Sequence, residues 1–357
     1  MKFKFFLTLF FWVGLVSHVV AQSYFYKQFK GKVGEREIWA TLIYAPSKDN
    51  PQFNLRGQYQ DIRQGQRIQL TNGHLDALGN VYLEEGLSRR DYNGQPTFAK
   101  TGVFYGVYYS QTGRLEGDWD SADGKRSLTF FLTEDYGNGA LPAEIIFNDA
   151  HLDEAEIRFH YPRFLEKASA RALNQFIQAN ILGNVPEKIS QFMQKFQEEK
   201  SLGGMIELFE SSHITYIRLN ENNLLSLEYA SAEFTGGPHG VYKSLFYNFN
   251  TETGQMLTLS DVLAPGYETA LTKLAEQALR RNYGIKAEES LADYGFTLAE
   301  GQFKLTNNFY LKPEGIGFYY NVYEIAPFAV GPQDIFVPFA QLKELIRKNS
   351  PLMAYLK

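Results

Sequence analysis

The sequence predicts a mainly β N-terminal half, a curled antiparallel sheet or up-and-down β-barrel, followed by an α+β domain with helices packed on an antiparallel sheet. Three observations carry this. From Tyr24 to about Asp135 short alternating runs follow one another between Gly, Asn and Asp turns, with no helical period. Four times in those runs a glycine stands two residues before an aromatic: Gly57 and Tyr59, Gly102 and Phe104, Gly106 and Tyr108, Gly117 and Trp119. Past Leu141-Pro142 apolar residues recur at helical spacing between further strands.

The chain opens with Lys2 and Lys4 ahead of an apolar run from Phe5 to Val16, shorter than the roughly 20 residues a bilayer span needs. Small residues Val19 and Ala21 precede Gln22. Residues 1–21 therefore read as a cleavable signal peptide, and the product is expected to be exported, soluble and periplasmic or extracellular. With no cysteine in the chain, a thiol-linked lipid anchor is not expected and neither are disulfides. The remaining length exceeds what one core usually serves. Two domains are expected, 22–140 and 141–357. A formal net charge of −5, spread along the chain, argues against nucleic acid or an anionic membrane as partner.

In the first half, Glu37 to Tyr44 is a strong strand closed by Pro46 and the polar stretch from Ser47 to Asn50. Strands follow at Phe53–Gln60, Arg67–Leu70, Val81–Glu85, Thr97–Tyr109, Leu115–Trp119 and Ser127–Thr133, with turns at Asn72-Gly73, Asn93-Gly94 and Asp123-Gly124. Period two puts each glycine and its aromatic on one face. Glycine lets a strand bend while the aromatic covers the bare backbone, which suits about eight strongly curved strands; a ligand-lining aromatic track is the alternative.

The second half begins after Tyr136-Gly137-Asn138-Gly139. Glu154–Tyr161 alternates as a strand that ends at Pro162, and Phe164–Asn180 carries a helical stripe. Val185-Pro186 opens a second helix with Ile189, Phe192, Met193 and Phe196 on one face. Ser212–Asn220 and Leu224–Phe234 form a hairpin about Glu221-Asn222-Asn223, and Tyr242–Asn250 continues the sheet. Thr258–Asp261 precedes a helix over Tyr267–Asn282. Strands at Gly301–Leu311, Ile316–Tyr320 and Ile335–Pro338 lead to a closing helix over Phe339–Lys348.

Several motifs stand in order along this half. Phe234-Thr235-Gly236-Gly237-Pro238-His239-Gly240 is followed by Tyr247-Asn248-Phe249-Asn250, Gly254, Leu257-Thr258-Leu259 and Asp261. Then come Tyr323-Glu324-Ile325-Ala326-Pro327-Phe328-Ala329, Gly331 and Val337-Pro338-Phe339. Over about residues 152–348 this set resembles the C-terminal domain of unknown function shared by the anti-sigma factor RsiV and the peptidoglycan deacetylase PdaC. The resemblance implies an envelope domain that receives lysozyme in the first protein and accompanies a separate catalytic domain in the second. This chain has no sigma-binding segment and none of the metal-binding motifs of a deacetylase, so neither signalling nor deacetylation is implied.

The residues themselves offer little chemistry. His239, in a glycine-rich loop with Glu233 six residues before it and Asp261 downstream, is the candidate base for a hydrolase of glycan or ester; the blander alternative is a loop-securing histidine. No nucleophile elbow accompanies it. The histidines beyond the leader, His74, His151, His160, His213 and His239, make no paired metal spacing, so no metal and no cofactor is expected. Glu84 and Glu85 point to opposite faces of a strand, and Asp118 and Asp120 beside Trp119 read as solvated turn acids, so a glycosidase pair is not indicated. The tract from Tyr319 to Glu324 is rich in tyrosines suited to stacking on sugar or packing against protein, with Glu324 placed to meet arginines of a basic partner. The expectation is a non-catalytic recognition protein of the cell envelope, binding a cell-wall glycan or lysozyme-like protein through Gly236, Gly237, His239, Tyr320, Tyr323 and Glu324. The alternatives are the His239 hydrolase and a structural envelope component.

Overall fold

The computed structural model describes residues 23–46, 52–63, 65, 67–90, 96–165, 167–203, 206–237 and 239–356. The segment expected to be a signal peptide, residues 1–21, the Ser47–Asn50 stretch, the expected Asn93-Gly94 turn and Pro238 lie outside the described residues. Eight antiparallel strands run in sequence order: β1 (Phe25–Val33), β2 (Arg36–Tyr44), β3 (Leu55–Asp61), β4 (Arg67–Leu75), β5 (Asn80–Arg90), β6 (Pro96–Tyr109), β7 (Arg114–Ser121) and β8 (Ser127–Glu134). β8 pairs back onto β1, with Val33 opposite Phe130 and Phe29 opposite Glu134, so the meander closes into a barrel.

The glycine–aromatic repeats explain the closure. Gly106 and Gly117 face each other across β6 and β7, and a Cβ on Gly117 would stand 2.0 Å from the Tyr105 carbonyl oxygen. Only bare backbone allows strands to press that closely and turn the corner. Tyr59, Phe104, Tyr108 and Trp119 all point inward at 1–5% exposure. They fill the barrel with Leu42, Leu83, Leu115 and Phe130, and the void left among these side chains is about 10 Å³, room for about one water. The aromatics are therefore core, not a ligand track. Glu85 is buried with them and accepts hydrogen bonds from Tyr59 Oη (2.7 Å), Trp119 Nε1 (2.7 Å) and Thr101 Oγ1 (2.6 Å). Glu84, one residue away, faces outward to Lys100.

β1 serves two structures at once. Its C-terminal half closes the barrel, whereas Phe25 and Tyr26 pair with Glu144 and Ala143 of β9 (Ala143–Leu152). The sheet continues through β10 (Ala155–Phe164), β11 (Phe209–Glu221), β12 (Leu224–Phe234), β13 (Val241–Asn250) and β14 (Met256–Leu257), with β10 and β11 parallel. On one face lie α1 (Ala168–Phe176), a π-helical turn over Ile177–Leu182, and α2 (Val185–Ser201). They bury Leu173, Ile177 and Phe196 against Phe159, Phe209 and Phe249. Asn184 caps α2 by accepting from Glu187 N, and Pro186 occupies the first turn where no donor is needed.

The other face carries α3 (Leu259–Val262), α4 (Tyr267–Tyr283), a second sheet of β15 (Phe309–Lys312), β16 (Gly315–Tyr320) and β17 (Gln333–Pro338), and α5 (Phe339–Leu342). Leu219 and Leu224 join Leu271, Leu279, Phe318 and Ile335 in the core there. Helices and sheet follow a β-barrel, as the hydrophobic patterning predicts; the small β15–β17 sheet is antiparallel, while the larger sheet departs from the expected antiparallel pattern at the parallel β10–β11 pair.

Five details differ from the sequence reading. Asn72-Gly73 is not a turn between strands but a bulge within β4, with Asn72 at a φ of +48°. β1 and β9 were not singled out as strands; β9 has most of its residues half-buried on both sides, so it shows no clean alternation. β10 continues through Pro162, because its pairing with β11 ends at His160 and the missing proline N–H deprives no neighbour. Residues 301–308 are not a strand; β15 starts at Phe309. The closing helix is the four-residue α5, after which short 3₁₀ turns lead to Ile346, which bridges to Leu263.

The two halves are bound through buried polar contacts. Gln28 of β1 donates to Asn220 O (2.6 Å) and accepts from Asn138 Nδ2 (2.8 Å), while the Asn220 carboxamide holds both N (2.9 Å) and O (2.8 Å) of Leu141. Arg67 of the barrel pairs with Glu221 at 2.5 Å, and Tyr355 Oη donates to the same carboxylate.

Candidate functional site

The loop between β12 and β13 turns at Gly236 and Gly237, whose φ values of +96° and +98° lie where a side chain would be strained. This places His239 at the tip of the sheet, exposed, its Nδ1 donating to Gly240 O at 3.0 Å. Far along the chain, β16 ends and residues 321–327 turn back. A 3₁₀ turn over Phe328–Val330 then brings Phe328 under the His239 ring, with centroids 4.2 Å apart and planes at 24°. Tyr242 of β13 and Tyr323 complete the cluster, 5.7 and 6.1 Å from the Phe328 ring. Tyr323 is 66% exposed and holds a left-handed φ of +70°. Offset rings of this kind present a flat apolar face with polar edges, suited to sugar or protein contact.

Beside the cluster is a depression of about 390 Å³ lined by His213, Glu233, Thr235, His239, Tyr242 and Lys243. His213 stacks on Phe159 at 4.4 Å and bonds with Ser211 Oγ (3.1 Å) and Tyr229 Oη (2.7 Å). Burial pushes its pKa down to about 4, helped by the positive charge of Lys188, so the ring is neutral at pH 7. Ser211 and His213 form a serine–histidine contact, but Ser211 is 2% exposed and its hydroxyl reaches no open site. Glu233 is engaged with Lys195 at 3.8 Å.

The sequence-derived residues divide. Gly236, Gly237, His239 and Tyr323 come together at one surface. Tyr320 does not: it is 3% exposed, donating to Lys304 O (2.8 Å) and accepting from Thr306 N (3.2 Å), because inward-facing positions of β16 pack on the core. Glu324 is exposed, but its carboxylate turns back to accept from Asn321 N at 2.9 Å, bracing its own turn. Asp261 is not part of the His239 environment. It caps α3 by accepting from Thr258 N (2.7 Å) and Oγ1 (2.6 Å), and these bonds hold its carboxyl below the ordinary value. Phe328 and Tyr242, which hold the cluster together, were not singled out. Phe328 stood in a motif that sequence reading valued, but nothing in the linear order connects it to His239. Among the described residues no group of three or more His, Cys, Asp or Glu is placed to hold a metal ion, and no helix is long and apolar enough to cross a membrane.

Comparison with known proteins bears on one side of this site. Residues 260–340 match the family described as Protein of unknown function (DUF3298). The DUF3298 segment spans α4, the second sheet and the Tyr323–Phe328 side of the cluster; the His239 loop precedes it. A crystal structure of a DUF3298 family member from Bacteroides fragilis NCTC 9343 is similar, with 28% identity and a TM-score of 0.51 over 62% of this chain and 98% of that one. A second DUF3298 family protein, from Pseudomonas aeruginosa PAO1, has 20% identity and a TM-score of 0.45 over 59% and 97%. No curated protein matches the chain.

Proposed function

We propose that this is an exported, non-catalytic recognition protein of the cell envelope whose ligand is a cell-wall glycan or a lysozyme-like protein. The observation that supports this reading best is the stack of His239 on Phe328, which joins two distant segments into one exposed aromatic surface with Tyr323 and Tyr242. Aromatic faces with polar edges carry much of the binding energy at such surfaces. The reading also takes the second half as a relative of the domain shared by RsiV and PdaC, and residues 1–21 as a signal peptide. Calorimetry of the purified protein against lysozyme and soluble peptidoglycan fragments tests it. No heat with either, at concentrations that detect micromolar binding, sinks it.

A hydrolase is the second reading, favoured by His239 and Glu233 lining one depression. Screening glycan and ester substrates with the wild type and His239→Ala separates the two, since activity unaltered in the variant removes His239. A structural envelope component would instead co-purify with fixed partners in constant ratio.

A further inference from the structure

A second concave site lies away from the aromatic cluster, where the outer wall of the barrel meets β11 and the β15–β16 turn. Its volume is about 490 Å³, within the roughly 300–1,000 Å³ range of small-molecule sites. The barrel supplies a cross-strand row in which Thr41 stands opposite Gln58, and Gln58 opposite Gln69. Among the described residues the Gln58 and Gln69 carboxamides have no hydrogen-bond partner in the protein. Each carboxamide donates and accepts, as a sugar hydroxyl does. Ile43, Ile217 and Leu219 add apolar wall, suited to the C–H faces of a pyranose ring.

The charges are uneven. Arg56, Arg67, Arg218 and Lys312 line the cleft against Glu221 and Glu314. Arg67 is committed to Glu221, and Arg218 to Glu228. Arg56 has no acidic partner among the described residues. It is exposed in the cleft, yet the surrounding walls desolvate it and hold its pKa below the ordinary arginine value. A guanidinium in that position gains from a carboxylate that binds both its nitrogens. The frame is stiff as well, because the Gln28–Asn220 and Arg67–Glu221 contacts tie the two walls together.

We propose that this cleft binds an acidic saccharide, with Arg56 taking the carboxylate and Gln58 and Gln69 taking the ring hydroxyls. The site is independent of the aromatic cluster. Calorimetry with tri-galacturonate as probe, and maltotriose and tri-glutamate as controls, tests it on the purified protein. Expected are binding of tri-galacturonate, at least about tenfold weaker binding of both controls, and loss of about tenfold or more in affinity in Arg56→Ala. Phe328→Ala, which cuts the other surface, is expected to leave tri-galacturonate affinity unchanged. No binding at millimolar probe, or affinity unaltered in Arg56→Ala, overturns the site; tri-glutamate binding as tightly as tri-galacturonate overturns the saccharide assignment.

Discussion

Asn321 grips both backbone polar groups of Ser244: its Oδ1 accepts from Ser244 N at 2.7 Å and its Nδ2 donates to Ser244 O at 3.1 Å. Asn308 continues the pattern, accepting from Phe246 N at 2.8 Å and donating to Ser244 O at 2.9 Å. Two side-chain amides thus do for the outer edge of β13 what a neighbouring strand would do. They also seat the Tyr323–Phe328 segment beside the His239 loop.

Asn321→Ala should therefore destabilise the fold by about 1–3 kcal/mol, the cost of leaving a buried backbone donor unpaired. Urea unfolding measures it. A change within experimental error would show that water replaces the amide without loss.

Removing the stack should be felt at the surface more than in the core. Phe328→Ala is expected to change stability by about 1 kcal/mol, since the ring is only partly buried, while weakening glycan or lysozyme binding about tenfold. Calorimetry beside urea unfolding separates the two effects.

His213 gives the fold a pH dependence of definite sign. Its folded pKa of about 4 lies below the ordinary 6.5, so the unfolded chain binds more protons in that window. The associated stability, about 1–2 kcal/mol once solvent screening of the partly exposed ring is allowed for, is present above pH 6.5 and is lost as pH falls towards 4. Urea midpoints between pH 7 and 4 should fall more steeply in the wild type than in His213→Gln, and an NMR titration of the ring should give a midpoint near 4.

In the barrel, Glu85→Ala strands three donors, Tyr59 Oη, Trp119 Nε1 and Thr101 Oγ1, around a new hole. A loss of about 3 kcal/mol or more is expected, with a shift in Trp119 fluorescence. Glu85→Gln keeps the shape and one acceptor and should cost less.

Much of this was legible in the residues. Alternation and turn chemistry mark most barrel strands, and Gly106 with Gly117 mark the curvature, because these are local properties of neighbouring positions. The helical stripes of α2 and α4 are legible for the same reason. The placement of His239 in a turning loop between two strands follows from its glycines. What escaped was of another kind. Tyr320 and Tyr323 look alike in the sequence, three residues apart, yet one is core and the other surface, since the chain leaves β16 between them.

The residue order by itself determined a strongly curved, mainly β first half and the α+β character of the second, because period, propensity and backbone sterics act over a few residues. Tertiary structure alone decided that the barrel closes over a filled aromatic interior, that Phe328 lies under His239, that Glu324 serves its own turn, and that Arg56 faces the cleft with no acidic partner of its own among the described residues. Each depends on pairing between residues far apart in the chain, set by how β13 is edged by Asn308 and Asn321 and by how β1 is shared between barrel and sheet.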